Sequence, residues 1–356
     1  MNPVLARAEA FCARFGLRLP ILLAPMAGAS PLSLSIAVGN AGGLGACGAL
    51  MMKPDEISAW ANEVRAGTNG AFNLNLWIPD PPPVRDEAAE ARVRRFLGGW
   101  GPEVPAAAGD AGILDFAAQC EALLAAGPRI VSSIMGLYPP EFVARTKALG
   151  IAWFANVTTV DEARAAEAAG ADVIVAQGME AGGHRGAFDA GLAERRLVGL
   201  LALVPAVVDA VRVPVVATGG IADARGVSAA LALGASAAQI GTGFLRTPEA
   251  KLHPAWADAL ARTAPEGTIV TRAFSGRPGR SVATDFALAA TSSGAPDPAP
   301  YPVQRGLTTP MRAAATKAGD ISRMQAWAGQ GAALARALPA GELVNTLWDE
   351  ARAFFG

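Results

Sequence analysis

Histidine, tyrosine and cysteine are scarce in this chain of 356 residues: two, two and three copies respectively. The cysteines, Cys12, Cys47 and Cys120, are odd in number and far apart. That excludes a disulfide framework and fits a reducing compartment, so a cytoplasmic location is expected. Two histidines with three scattered cysteines offer no zinc-ligand spacing, and no metal site is expected. No apolar run reaches the ~20 residues needed to cross a bilayer; the longest, 197–211, is broken by Pro205 and Asp209. The first stretch, 1–20, carries Glu9 and several arginines and lacks the continuous apolar segment of a signal peptide. Charge is nearly balanced, at −1, and no basic run interleaves with aromatics, which argues against a nucleic-acid partner. A G-x-S-x-G nucleophile elbow is also absent.

What the chain has in quantity is glycine and short apolar runs. Val213-Pro214-Val215-Val216-Ala217-Thr218-Gly219-Gly220-Ile221 reads as a buried strand that breaks at a glycine pair and enters a helix. Ser236-Ala237-Ala238-Gln239-Ile240-Gly241-Thr242 repeats the plan. Adjacent turns without side chains can hold several backbone N–H groups against one phosphate, the arrangement found after the last two strands of a (β/α)₈ barrel. Eight strands are predicted: 21–24, 43–46, 71–76, 129–133, 151–155, 172–176, 213–217 and 236–240. Ala-rich helices are predicted between them, among others over 54–66, 140–149, 160–169 and 223–233. The fold class expected is α/β, a (β/α)₈ TIM barrel over 17–245, with a doubly wound open sheet as the alternative. Residues 79–112 interrupt the repeat as a long insertion, helical around 85–96. Residues 246–337 are expected to form a lid over the substrate side, and 338–356 a final helix packed outside the barrel.

Barrel enzymes act in the loops after strand C-termini. After strand one, Ala24, Pro25 and Met26 form a tight turn that lets backbone approach a flat ligand, though the same residues suit an ordinary turn. Asn73 and Asn75 share one face of strand three by period-two spacing. The loop after strand six, Gln177 to Gly186, places an amide, an acid, an imidazole and a guanidinium among four glycines. His184 in that loop is a candidate catalytic group. Gly43-Leu44-Gly45-Ala46-Cys47-Gly48 fits G-x-G-x-x-G, but a helix precedes it and the glycines belong to a strand, so it is not read as a dinucleotide site.

Assembled, these stretches resemble the nitronate monooxygenase family, formerly called 2-nitropropane dioxygenases, which are FMN-dependent TIM barrels. The resemblance runs over 17–334. It rests on Ala24-Pro25-Met26-Ala27-Gly28, Asn40-Ala41-Gly42-Gly43-Leu44-Gly45, Gln177 through Gly186 and Ala217 through Leu245. It also rests on Thr271-Arg272-Ala273-Phe274-Ser275-Gly276-Arg277-Pro278, Tyr301-Pro302-Val303-Gln304 and Trp327-Ala328-Gly329-Gln330-Gly331. The resemblance implies FMN as cofactor, with Asn75 and Gln177 on the flavin or its ribityl chain and Gly182 and Gly183 lining it. Gly219 and Gly220, with the turn Gln239, Ile240, Gly241 and Thr242, would hold the phosphate. Tyr301 is a second candidate catalytic group, and Arg272, Arg277, Arg280 and Arg312 are candidates for an anion-attracting mouth.

One departure stands out. Many relatives end strand four in V-S-F-H-F-G, whose histidine is the catalytic base. Here the stretch is Val131-Ser132-Ser133-Ile134-Met135-Gly136, with Ile134 at the histidine's place. Another branch has a histidine in the strand-five loop, where this chain has Phe154-Ala155-Asn156-Val157. Ile134 and Met135 would make that wall of a substrate pocket apolar. The function expected is oxidation of small alkyl nitronates with O2. The alternatives are an NAD(P)H-dependent reductase of enoyl thioesters or quinones, which shares the Glu180–Gly186 loop pattern, and a flavin-binding protein without catalysis.

Overall fold

In the computed structural model, which describes residues 2–356, the chain forms eleven strands. In order they are β1 (Ile21–Leu23), β2 (Gly45–Gly48), β3 (Phe72–Trp77), β4 (Ile130–Ile134), β5 (Ala152–Val157), β6 (Val173–Gln177), β7 (Gly183–His184), β8 (Val215–Thr218), β9 (Ala237–Ile240), β10 (Thr268–Thr271) and β11 (Gly279–Val282). Eight of them pair in parallel in the order β1-β9-β8-β6-β5-β4-β3-β2. The ring closes between β1 and the start of β2. There Leu44 N–H donates to Ile21 O (3.1 Å) and Leu23 N–H donates to Leu44 O (2.9 Å). The fold is therefore the (β/α)₈ barrel, not the open sheet.

The helices are α1 (Pro3–Phe15), α2 (Leu32–Asn40), α3 (Pro54–Gly67), α4 (Glu87–Gly98), α5 (Phe116–Ala126), α6 (Pro140–Ala148), α7 (Val160–Ala168), α8 (Leu200–Ala210), α9 (Ala224–Ala232), α10 (Pro254–Arg262), α11 (Asp285–Ala289), α12 (Val303–Leu307), α13 (Thr309–Ala318) and α14 (Ala340–Arg352). Local chemistry sets several ends. The Thr159 hydroxyl accepts from Glu162 N and the Asp223 carboxylate from Gly226 N, capping α7 and α9. Helix α14 packs against α9 and α2. It occupies the eighth helix position of the barrel, so residues 246–337 are an insertion between β9 and its own helix.

Period-two alternation sorts the strand side chains into two cores. Ile21, Leu23, Val131, Ile174, Val215 and Ala217 point outward into the layer beneath the helices. Leu22, Ile130, Phe154, Val173, Val175 and Val216 point inward, where Phe11 and Phe15 of α1 plug the N-terminal end. Helix α1 had no counterpart in the strand–helix repeat. It buries Ala8, Phe11, Cys12 and Phe15. Above the apolar floor the inward positions turn polar: Asn73, Asn75, Ser132, Gln177, Thr218 and Gln239 are all buried.

The segment 79–112 and the expected lid, 246–337, share one core. Val93 and Leu97 of α4 share a core with Phe274, Phe286, Leu307 and Met311. The lid also carries an antiparallel sheet, β10-β11-β7, which takes in Gly183 and His184 of the loop after β6. Strand limits lie up to two residues from those expected. Shifts of two residues occur at both ends of β2, at the start of β8 and at the end of β5.

Candidate active site

A cavity of about 350 Å³ opens at the C-terminal ends of the barrel strands, under the lid. Ala24, Pro25, Met26, Asn75, Ile134, Gln177, Gly182, Gly183, His184, Gly219, Gly220, Gln239, Gly241, Thr242 and Tyr301 all line it. Two expected residues do not. Ile240 is 1% exposed and points into the outer core, as alternation along β9 requires when Gln239 faces inward. Met135 is buried but absent from the lining; its left-handed backbone (φ 74) turns the chain after β4 and leaves Ile134 to face the cavity.

The glycine turns are held together by backbone. Gly219 and Gly220 have φ of 124 and 68, conformations that side chains resist. Among the described residues, the N–H groups of Gly219, Gly220, Gly241 and Thr242 donate to no turn or loop carbonyl. Thr218 Oγ1 donates to Gln239 O (2.9 Å), tying β8 to β9 just below them. Trp327 to Gly331 closes over this corner: Gly329 N–H donates to Thr242 Oγ1 (3.0 Å) and Gln330 N–H to Glu180 O (2.9 Å). Gly182 must lack a side chain, because a Cβ would lie 2.7 Å from Ala328 C and 2.9 Å from Thr242 Oγ1.

On the other side of the mouth, Asn73 and Asn75 share a face and each Nδ2 donates to Ser132 Oγ (2.9 Å). The Asn75 amide is thereby oriented with its carbonyl oxygen left free. Gln177 is engaged by its own loop: Nε2 donates to His184 O (3.1 Å) and Oε1 accepts from Gly186 N (2.8 Å).

The loop after β6 divides its charged groups. The Glu180 carboxylate accepts from Leu200 N (2.9 and 3.1 Å) at the start of α8, where the helix dipole favours an anion. Arg185 is buried and donates to the carbonyls of Gln177 (2.6 Å), Thr158 and Arg196 (both 3.3 Å). Only His184 faces the cavity. Its ring lies between Trp77 and Trp327, with centroids 4.7 and 4.8 Å away, and its Nε2 is 2.7 Å from Ser275 Oγ. Burial, reinforced by Arg277 and Arg305, pushes its pKa down to about 3, so the imidazole is neutral.

Of the four expected arginines, only Arg312 lines the cavity. Arg272 pairs with Glu194 (2.9 Å), Arg277 with Asp80 (3.3 Å), and Arg280 donates to Met179 O (3.0 Å) and Thr268 Oγ1 (2.9 Å). These three tie residues 246–337 to Asp80 and to the loop after β6. Arg305, one helical turn after Tyr301, is a cavity residue that sequence reasoning missed. Among the described residues, neither Arg305 nor Arg312 has a carboxylate within 4.0 Å. Burial and the neighbouring Arg305 lower the Arg312 pKa to about 10, which leaves it cationic at neutral pH. Trp77 and Asn156 were also missed, although alternation carries a signal for both: they continue the inward faces of Asn75 and Phe154.

Comparison with known proteins places this geometry. The family model described as nitronate monooxygenase matches residues 10–350. The chain belongs to the nitronate monooxygenase family. It is 41% identical over 338 residues to a nitronate monooxygenase of Paraburkholderia phytofirmans, covering 93% of this chain and 92% of the relative. Its fold is similar to that of a nitroalkane oxidase from Streptomyces ansochromogenes, with a TM-score of 0.86, 39% identity, and 97% and 100% of the two chains covered. FabK from Thermotoga maritima is similar at a TM-score of 0.72 and 27% identity, with 97% and 96% covered. Family membership makes the protein an oxidoreductase. In this member of the family the barrel mouth holds two arginines without a carboxylate partner among the described residues and a neutral histidine.

Proposed function

We propose that the protein is an FMN-dependent oxidoreductase that oxidises alkyl nitronates, with O2 as the final electron acceptor. The observation that carries this reading is the charge inventory of the cavity. Its lining includes Arg305, Arg312, neutral His184 and Tyr301, and no Asp, Glu or Lys. Burial raises the Tyr301 pKa above the ordinary phenol value, so that group too stays neutral. Such a cavity attracts an anion and has no group suited to remove a carbon-bound proton at neutral pH. A neutral nitroalkane needs that base; a nitronate has already lost the proton.

The residues present fit a flavin mononucleotide. The four N–H groups at Gly219, Gly220, Gly241 and Thr242 suit a phosphate. Asn75 offers an oriented carbonyl oxygen to a ring N–H. Gly183, with nothing within 4 Å of where its Cβ would be, leaves room for a flat ring. When bound, the flavin supplies the electron acceptor for the substrate and the donor to O2. Arg305 and Arg312 draw the anion in, Ile134 shapes an apolar wall for its alkyl part, and the lid excludes water. Ile134 in place of the family's strand-four histidine accords with restriction to the anion.

A second reading, an NAD(P)H-reduced flavin enzyme, draws support from the likeness to FabK. Anaerobic mixing of the flavin-loaded protein with ethylnitronate, nitroethane, NADH and NADPH separates the two. Bleaching of the flavin by ethylnitronate alone is the expected result. Rapid bleaching by a reduced nicotinamide would replace the first reading with the second. A flavin that none of the four reduces would assign the protein a binding role.

A further inference from the structure

Asn156, near the end of β5, is 8% exposed and lines the cavity. Its amide nitrogen, Nδ2, is buried and has no hydrogen-bond acceptor among the described residues. Three other inward polar groups near this level are bonded internally: Asn75 to Ser132, Gln177 to the His184–Gly186 backbone, Thr218 to Gln239 O. An unpaired buried amide is unfavourable unless a ligand completes it. The backbone of Gly186 makes space at this corner. A Cβ on Gly186 would come within 2.8 Å of Ile134 Cγ1 and would overlap the Asn156 amide itself. Asn156 thus stands beside the apolar Ile134 wall, on a barrel strand and away from the β8 and β9 glycine turns.

We propose that the Asn156 amide donates a hydrogen bond to an oxygen of the substrate's nitronate group. This assignment rests on the nitronate reading of the site. Arg305 and Arg312 reach the cavity from α12 and α13 and supply positive charge, and the Arg312 guanidinium already donates to Thr308 Oγ1, Gln325 Oε1, Arg305 O and Thr309 Oγ1. Asn156 supplies the direction. Its terminal amide turns about the last side-chain torsion, so the donor end can follow an acceptor into the cavity. The alternative acceptor is a carbonyl of the cofactor, and the experiment separates the two.

The test uses FMN-loaded Asn156→Leu and Asn156→Asp variants. FMN dissociation is followed by flavin fluorescence, and anaerobic flavin reduction is followed against ethylnitronate concentration. The half-saturating ethylnitronate concentration is expected to rise about tenfold or more in the leucine variant, the loss typical of a hydrogen bond to a charged group. It should rise further in the aspartate variant, which replaces the donor by a negative charge, while FMN affinity stays as in the wild type. An unchanged half-saturation, or a loss of FMN affinity in parallel, would overturn the proposal. Should the leucine variant fail to fold, the isosteric aspartate variant decides alone. If ethylnitronate does not reduce even the wild-type flavin, the nitronate reading itself fails and the Asn156 assignment falls with it.

Discussion

The imidazole of His184 and the hydroxyl of Ser275 meet at 2.7 Å and join the loop after β6 to the lid. Ser275 Oγ also lies 3.2 Å from Arg277 O, to which it donates. Which of the two partners donates follows the tautomer of the ring. A neutral ring suffices for this contact, and the cationic form would face Arg277 and Arg305.

This fixes the pH behaviour. The folded pKa of His184, about 3, lies below its ordinary value of 6.5. Between those values the unfolded chain binds a proton that the folded chain does not. The stabilisation from burying the neutral ring is complete above pH ~6.5 and is lost as pH falls toward ~3. The Tm difference between wild type and His184→Gln, measured from about pH 7 down to about pH 4, should therefore shrink. The kcat/KM for ethylnitronate should show no ionisation near pH ~6.5 that His184→Gln removes. Such an ionisation would make His184 a titrating base.

Ile134→His should give the cavity a base where Ile134 now forms an apolar wall. Flavin reduction by nitroethane should rise at least about tenfold, within the ~10²–10⁴-fold range of general bases, while reduction by ethylnitronate changes little. The measurement is anaerobic stopped-flow reduction at neutral pH. No gain with nitroethane would mean that the reacting carbon does not lie beside β4.

Gly182→Ala places a methyl group against Ala328 C and Thr242 Oγ1. The Trp327–Gly331 segment must then shift off the glycine turns. A cost of about 1–3 kcal/mol from overpacking is expected, with weakened FMN retention. Urea unfolding and flavin release on dialysis report the two effects separately. An unaffected variant would show that this corner is looser than the packing implies.

Phe15→Ala tests the plug. Phe15 is 3% exposed, with ring centroids 4.8 Å from Phe11 and 5.0 Å from Phe154 inside the barrel. Truncation should cost about 3 kcal/mol or more, the range for a buried phenylalanine. The site is at the opposite end of the barrel, so the KM for ethylnitronate should hold at temperatures where the variant stays folded.

Much of the site was legible one strand at a time. The Asn73 and Asn75 pair and the glycine turns follow from local periodicity and backbone freedom. The same alternation, carried one step further, reaches Trp77 and Asn156. What the chain did not reveal locally was the duty of each charged side chain. Arg277 and Arg312 look alike in sequence, yet one pairs with Asp80 and the other faces the cavity without an acid. Glu180 sits among the polar residues of the loop after β6, yet its carboxylate caps α8.

By itself, the order of short apolar runs, helices and glycine breaks determined the barrel and the location of the glycine turns at its rim. Those features depend on neighbours along the chain, on alternation and on turns that only glycine adopts without strain. Tertiary structure alone decided that α14 completes the barrel, that the insertion and the lid share one core, and that the cavity has two cations and no carboxylate. These outcomes depend on which distant segments meet, and burial and pairing are properties of that meeting.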